Sequence, residues 1–181
     1  MSRPAPTRLL LVGSSIFAAW HCATDLLPHG EVTNRAVGGT VTADWVVWLA
    51  DILTEESPDL VLFYCGSNDL NRGVTEDDIC ANVARCRSLT GKWSPQAKFA
   101  YFGIMKAPQK EGKWHVIDEV NQRISSALLP GDLFVDPNDI FFQDGTPLAC
   151  YYVADGLHLT DAAYACLLDY SAPIVSDWLA S

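Results

Sequence analysis

Four short segments of this 181-residue chain carry side chains that could do chemistry. Gly13-Ser14-Ser15-Ile16 supplies two hydroxyls, and Gly38-Gly39-Thr40 supplies backbone N–H groups with no side chain in the way. Gly66-Ser67-Asn68-Asp69 supplies a side-chain amide. Asp155-Gly156-Leu157-His158 supplies a carboxylate three residues before an imidazole. Together they form the inventory of an acyl-transfer site. A serine hydroxyl becomes a nucleophile only when a positioned base takes its proton. A histidine can be that base when a carboxylate holds one ring nitrogen and leaves the other facing the hydroxyl. Of the four histidines, His21, His29, His115 and His158, only His158 has a carboxylate three residues before it, Asp155. A glycine N–H and an asparagine amide can both point at a developing oxyanion, and each such donor is worth about a hundred- to thousand-fold in rate.

Each segment also has a plainer reading. Ser14 or Ser15 would cap a helix starting at Ile16 through its hydroxyl. Asp155 would bond local backbone ahead of a helix. The glycines would close strand-end turns. The residues alone leave open which serine and which glycine would act.

The elements around the four segments decide how much they mean together. Leu9–Val12 is a continuous apolar run ending at Gly13, as a buried parallel strand should be. A helix could begin over Ile16–His21. Val32–Val37 reads as a second strand, closed by Gly38-Gly39, and Leu60–Cys65, introduced by Pro58-Asp59, as the clearest one. Lys98–Met105 and Leu133–Val135 complete five strands. Between them, apolar residues recur at helical spacing over Thr42–Leu53, about Thr75–Leu89 and Trp114–Leu128. Asp136–Tyr152 reads as a long loop. Thr160 caps a last helix that Pro173 interrupts or restarts. Strands alternating with helices argue for an α/β domain with a parallel sheet covered on both faces. In such sheets ligands bind outside the carboxyl ends of the strands. The first three segments follow strands and the fourth enters the last helix, so all four could meet at one sheet edge.

Bulk properties narrow the function classes. With 49% hydrophobic residues over 181 positions, one domain spanning 1–181 is expected. The formal net charge of −10 argues against a nucleic-acid partner, which needs clustered Lys and Arg, and against an anionic membrane surface. The start, MSRPAPTR, is polar and proline-bearing, and the apolar run after it is too short for a signal core or a membrane span. The six cysteines include no C-x-x-C pair and no zinc-type spacing, so they read as reduced, mostly buried residues of a cytoplasmic protein. Glu76-Asp77-Asp78 reads as a helix start, and Asp136, Asp139 and Asp144 lack calcium-loop spacing. Lys106 and Pro108 read as solvated loop, and Trp45 and Trp48 as core. The charge leaves a homodimer open. A flavodoxin-like binding module is the rival, but Gly13–Trp20 has too few hydroxyls and glycines to cradle a flavin phosphate.

The four segments, in this order and over Gly13 to Tyr164, resemble the conserved blocks of the SGNH hydrolases, also called GDSL-type lipases or esterases. Gly13-Ser14-Ser15-Ile16 is similar to the first block, usually Gly-Asp-Ser, whose serine is the nucleophile; that position is Ser15. Ser14 stands where the family usually has aspartate, as in members resembling the platelet-activating-factor acetylhydrolase catalytic subunits. Asn34–Thr40 is similar to the second block, whose glycine aligns with Gly39, with Gly38 the alternative. Gly66-Ser67-Asn68-Asp69 resembles Gly-x-Asn-Asp, with Asn68 as oxyanion donor. Asp155-Gly156-Leu157-His158 resembles the last block, Asp-x-x-His. The resemblance implies a flavodoxin-like three-layer α/β/α fold with strand order 2-1-3-4-5. It also implies a Ser15–His158–Asp155 triad and an oxyanion hole from the Ser15 and Gly39 N–H groups and Asn68. No metal or cofactor is implied. The implied substrate is a small-molecule ester with a small acyl group, acetyl before others, with thioesters and lysophospholipids as the nearest alternatives.

Overall fold

The structure, a computed structural model, describes residues 5–181. Five parallel strands form one sheet: β1 (Arg8–Gly13), β2 (Glu31–Asn34), β3 (Leu60–Tyr64), β4 (Lys98–Phe102) and β5 (Leu133–Val135), in the order β2-β1-β3-β4-β5. The period-two alternation of β1 explains the layering. Leu9 and Leu11 face one apolar cluster, while Leu10 and Val12 face another. Helices α2 (Thr42–Glu56), α4 (Glu76–Trp93) and α5 (Trp114–Ala127) cover the second face through Trp45, Leu49, Val83, Ile117 and Val120. The first face is covered by the short helices α1 (Ser15–Ala18) and α6 (Asn138–Phe141), a 3-10 segment (His21–Leu26) and the C-terminal helix α7 (Asp161–Ala180). This is the α/β/α sandwich and sheet order the resemblance implied. Among the described residues, no helix is long and apolar enough to cross a membrane.

Several boundaries differ from the sequence reading. β2 stops at Asn34 instead of Val37, although the Arg35 and Val37 N–H groups still donate to the Leu11 and Gly13 carbonyls of β1; at the boundary Asn34 Nδ2 donates to the Phe17 carbonyl at 2.7 Å, and Oδ1 accepts the Ala36 N–H. β4 stops at Phe102 because side-chain amides take over the backbone pairing of Ile104. Its N–H donates to Asn121 Oδ1, and its carbonyl accepts from Asn121 and Asn138. The α7 helix runs unbroken through Pro173. The ring removes one rung of the ladder, but buried Val175 and Trp178 hold the last turns on the sheet. Helices α2 and α4 run on to Glu56 and Trp93, beyond Leu53 and Leu89. Trp45 is core as expected, with its Nε1 donating to Thr40 Oγ1, whereas Trp48 is exposed. All six cysteines are unpaired; Cys65 and Cys86 are buried, and Cys150 is exposed.

Candidate active site

Each strand end delivers its segment to the same sheet edge by a specific device. Gly13 ends β1 with φ +133°, and a Cβ there would collide with the Tyr64 carbonyl of the adjacent strand. Only glycine allows this close approach. The chain then turns at once: the Ser14 N–H donates to the Tyr64 carbonyl at 2.8 Å, and α1 starts at Ser15. Neither serine caps the helix through its side chain. A four-residue helix cannot satisfy its own terminal carbonyls; here Tyr164 Oη donates to the Ile16 carbonyl at 3.0 Å, and Asn34 takes that of Phe17. Ser15 is thereby held half-buried at the helix start, with its N–H free of any intrahelical partner.

The second and third segments are built against each other. After β3 the chain forms a short helix α3 (Ser67–Asn71), where the sequence suggested only a turn. Asn68 on it and Arg72, the residue just past its end, lie one turn apart and grip two consecutive carbonyls of the second segment. Asn68 Nδ2 donates to the Thr40 carbonyl at 3.0 Å, and Arg72 Nη2 to that of Gly39 at 2.9 Å. Those carbonyls are drawn toward α3. The N–H groups of Gly38, Gly39 and Thr40 make no hydrogen bond among the described residues. Gly39 adopts φ +80°. A Cβ built at Gly38 would lie 3.8 Å from Ser15 Cβ, so Gly38 is the glycine packed on Ser15. The peptide N–H that follows its Cα belongs to Gly39, so contact by Gly38 and donation by Gly39 are compatible.

Asp69, the last residue of the third segment, has a role the sequence reading did not assign. It is buried, and its carboxylate accepts the Thr42 N–H at 3.0 Å and the Thr42 hydroxyl at 2.5 Å, capping α2. Burial pushes its pKa up, against the opposing pull of the Thr42 bonds. Replacing Asp69 with Ala leaves two buried donors without a partner. The expected loss is about 2–4 kcal/mol of unfolding free energy, read as a lower urea midpoint at unchanged slope.

The fourth segment is the tip of a small hairpin. Tyr152 and Leu159, both buried, pair as an antiparallel bridge. The Val153 N–H donates to the His158 carbonyl, the Gly156 N–H to that of Val153, and Gly156 takes φ +67° to close the turn. Asp155 Oδ1 accepts the N–H groups of Leu157 and His158 at 2.8 and 2.9 Å. Its other oxygen lies 2.6 Å from His158 Nδ1, and His158 Nε2 lies 3.0 Å from Ser15 Oγ. The bond from the His158 side chain, then those from the two backbone N–H groups, pull the Asp155 carboxyl down to about 2. Asp155 is thus a local backbone acceptor through one oxygen, which shapes the turn, while its other oxygen meets the imidazole. Thr160 caps α7, accepting the Ala163 N–H at 3.2 Å.

The structure thus brings Ser15, His158 and Asp155 into one hydrogen-bonded line and sets the Gly38-Gly39 turn against Ser15. Asn68 braces the same turn through Thr40. The family model of GDSL-like lipases and acylhydrolases matches residues 12–166. The chain belongs to this family of ester hydrolases. An arylesterase of Vibrio mimicus is 31% identical over 98 residues, a stretch covering 47% of this chain and 49% of that protein, so the match spans about half of either. Among solved structures, a GDSL-like lipase from Bacteroides thetaiotaomicron superposes with a TM-score of 0.80 at 20% identity, covering 94% of this chain and 88% of that one. An acetyl-xylooligosaccharide esterase from Geobacillus, in a mutant form, gives 0.75 at 17% identity, with 94% of each chain covered. These two share the fold.

Sequence reasoning missed α3, the Asp69 cap and Lys110. Lys110 is buried, with its Nζ donating to the Ser67 carbonyl at 2.8 Å. No pattern announced it: in Pro108-Gln109-Lys110-Glu111-Gly112-Lys113 it looks like any solvated loop lysine. Lys106, expected in solvent, pairs with Asp118 at 2.9 Å and lies over the Phe142 ring.

Proposed function

We propose that the chain is a serine carboxylic-ester hydrolase acting on esters of a small acyl group, acetyl before others, with Ser15 as nucleophile. The observation that carries this reading is the unbroken line from Ser15 Oγ to His158 Nε2 at 3.0 Å and from His158 Nδ1 to Asp155 at 2.6 Å. In the tautomer this line requires, Nδ1–H donates to Asp155 and Nε2 accepts the Ser15 proton. Ser15 Oγ adds to the acyl carbonyl as its proton passes to Nε2. The carbonyl oxygen becomes an oxyanion, which the N–H groups of Ser15 and Gly39 and the free amide hydrogen of Asn68 receive. The tetrahedral adduct collapses, the ester bond breaks, and His158 gives its proton to the leaving alcohol. Water, deprotonated by His158, then attacks the Ser15 acyl ester; the adduct collapses, His158 returns the proton to Ser15 Oγ, and the acid is released. Asp155 stabilises the imidazolium formed in both halves.

The reading of a small acyl group rests on openness. The Asp155 and His158 side chains are 49% and 41% exposed, so the site lies at the surface and not at the end of a channel. A long acyl chain gains affinity from apolar surface buried along its length, which an open site offers little of. In a series of p-nitrophenyl esters from acetyl to decanoyl, kcat/KM should be highest at acetyl or propionyl and should not rise with chain length, whereas a binding wall worth about 0.8 kcal/mol per methylene would raise it more than about a hundredfold by octanoyl. A maximum at octanoyl or beyond would replace the acetyl reading with a lipase-like one.

A further inference from the structure

The turn Ala107–Lys113, between β4 and α5, touches both halves of the proposed machinery. On one side the Gln109 N–H donates to the Gly156 carbonyl at 2.9 Å, inside the segment that carries Asp155 and His158. The fit is close: a Cβ on Gly156 would meet Pro108 at 3.3 Å and Gln109 at 3.4 Å. On the other side Lys110 Nζ donates to the Ser67 carbonyl at 2.8 Å, and Lys113 Nζ donates to that of Leu70 at 2.6 Å. Both acceptors lie on α3, on either side of Asn68. The turn is itself stiffened, since the Ala107 carbonyl accepts from the Lys110 N–H and from Trp114 Nε1.

Lys110 is an expensive residue for this place. It is 1% exposed, and its ammonium has no carboxylate partner among the described residues. Desolvation, then the neighbouring Lys113, pulls its pKa down to about 8. An apolar side chain of similar length would avoid that penalty. What it could not do is bind the Ser67 carbonyl and so fix the peptide that leads into Asn68. An oxyanion donor must hold its place closely, since a displacement of about 1 Å costs up to about a hundredfold in rate.

We propose that Lys110, assisted by Lys113, is a positioning residue for the hydrolysis reaction. It ties α3 to the turn that also supports the Gly156 segment, and so keeps the Asn68 amide aimed at the oxyanion. This rests on the esterase reading above. Lys110 touches no substrate atom in it; its effect passes through Asn68.

A double-mutant cycle on p-nitrophenyl acetate hydrolysis tests the assignment, with kcat and KM measured for the wild type, K110M, N68A and the double variant. N68A should lower kcat about a hundred- to thousand-fold. K110M should lower kcat about ten- to hundred-fold with KM within about threefold. The double variant should lie within about threefold of N68A alone, because a residue acting through Asn68 has nothing left to position once the amide is gone. Losses that multiply, or a K110M enzyme within about twofold of the wild-type kcat, overturn the proposal. If K110M does not fold, K113M takes its place in the same cycle, with an expected loss of about three- to tenfold and the same criterion. A wild-type enzyme with neither turnover nor labelling of Ser15 by a fluorophosphonate probe overturns the esterase reading itself. Full activity in N68A overturns the oxyanion role of Asn68 and this proposal with it, while leaving Ser15 standing.

Discussion

Ser15→Ala is expected to lower kcat/KM on p-nitrophenyl acetate by at least about a thousand-fold, while Ser14→Ala keeps activity within about tenfold of wild type. The two serines are neighbours, yet their surroundings differ. Ser14 is buried at the junction of β1 and α1, where its N–H holds the Tyr64 carbonyl. That contact is made by backbone, so it survives the loss of the hydroxyl. Ser15 is half-buried at the helix start, and its Oγ lies 3.0 Å from the imidazole. In the proposed mechanism, removing it deletes the atom that forms the acyl-enzyme, and the remaining donors give no more than polarisation of the carbonyl for direct attack by water. Its loss should change unfolding free energy by less than about 1 kcal/mol, since the hydroxyl caps nothing and alanine keeps the Cβ that Gly38 packs on. Urea unfolding run beside the kinetics separates the two effects. Full turnover in a folded Ser15→Ala enzyme would end the assignment of the nucleophile.

Much of this was legible in the sequence, for reasons that can be given residue by residue. Leu60–Tyr64 was plain because every side chain is apolar and the run is fully buried, as a central parallel strand requires. Gly13 and the Asp155–His158 spacing were visible because a close strand approach and a carboxylate–imidazole pair tolerate few residue types. The ends of β2 and β4 were not visible. At both ends an asparagine, Asn34 or Asn121, bonds backbone 17 residues away, and no local window contains both partners. Lys110 lay out of reach for a related reason. Its partner is 43 residues away, and burial of a lysine is a property of the fold, not of its neighbours in the chain. Asp69 stood in view inside a recognised block, yet its function is to cap α2, a helix that precedes it. What sequence reads poorly here is the support beneath the site.

Asp155→Asn should cost about a hundred- to ten-thousand-fold in kcat/KM, and the wild-type pH profile should show why. Asn keeps a carbonyl oxygen to accept the Leu157 and His158 N–H groups, so the hairpin tip survives. Its amide nitrogen, placed where Oδ2 was, can no longer accept from Nδ1–H. The imidazole then favours the other tautomer, with the hydrogen on Nε2, where it cannot take the Ser15 proton. The lower end of the range reflects exposure, because water can partly replace a carboxylate that is 49% exposed. The sign of the pH effect follows from the carboxyl, which is held down at about 2. A carboxylate with a depressed pKa stays ionised down through the usual carboxylate range, and its charge is lost only as pH falls through the lowered value. Between pH 7 and about 4 Asp155 therefore keeps its charge, and a loss of wild-type activity there must come from protonation of another group. A single base that must be unprotonated gives an acid limb of slope one in log kcat/KM, and Asp155 adds no second proton to that limb above about pH 4. A slope of two would mean that Asp155 titrates alongside the imidazole. A flat profile down to about pH 4 would leave no place for His158 as the base.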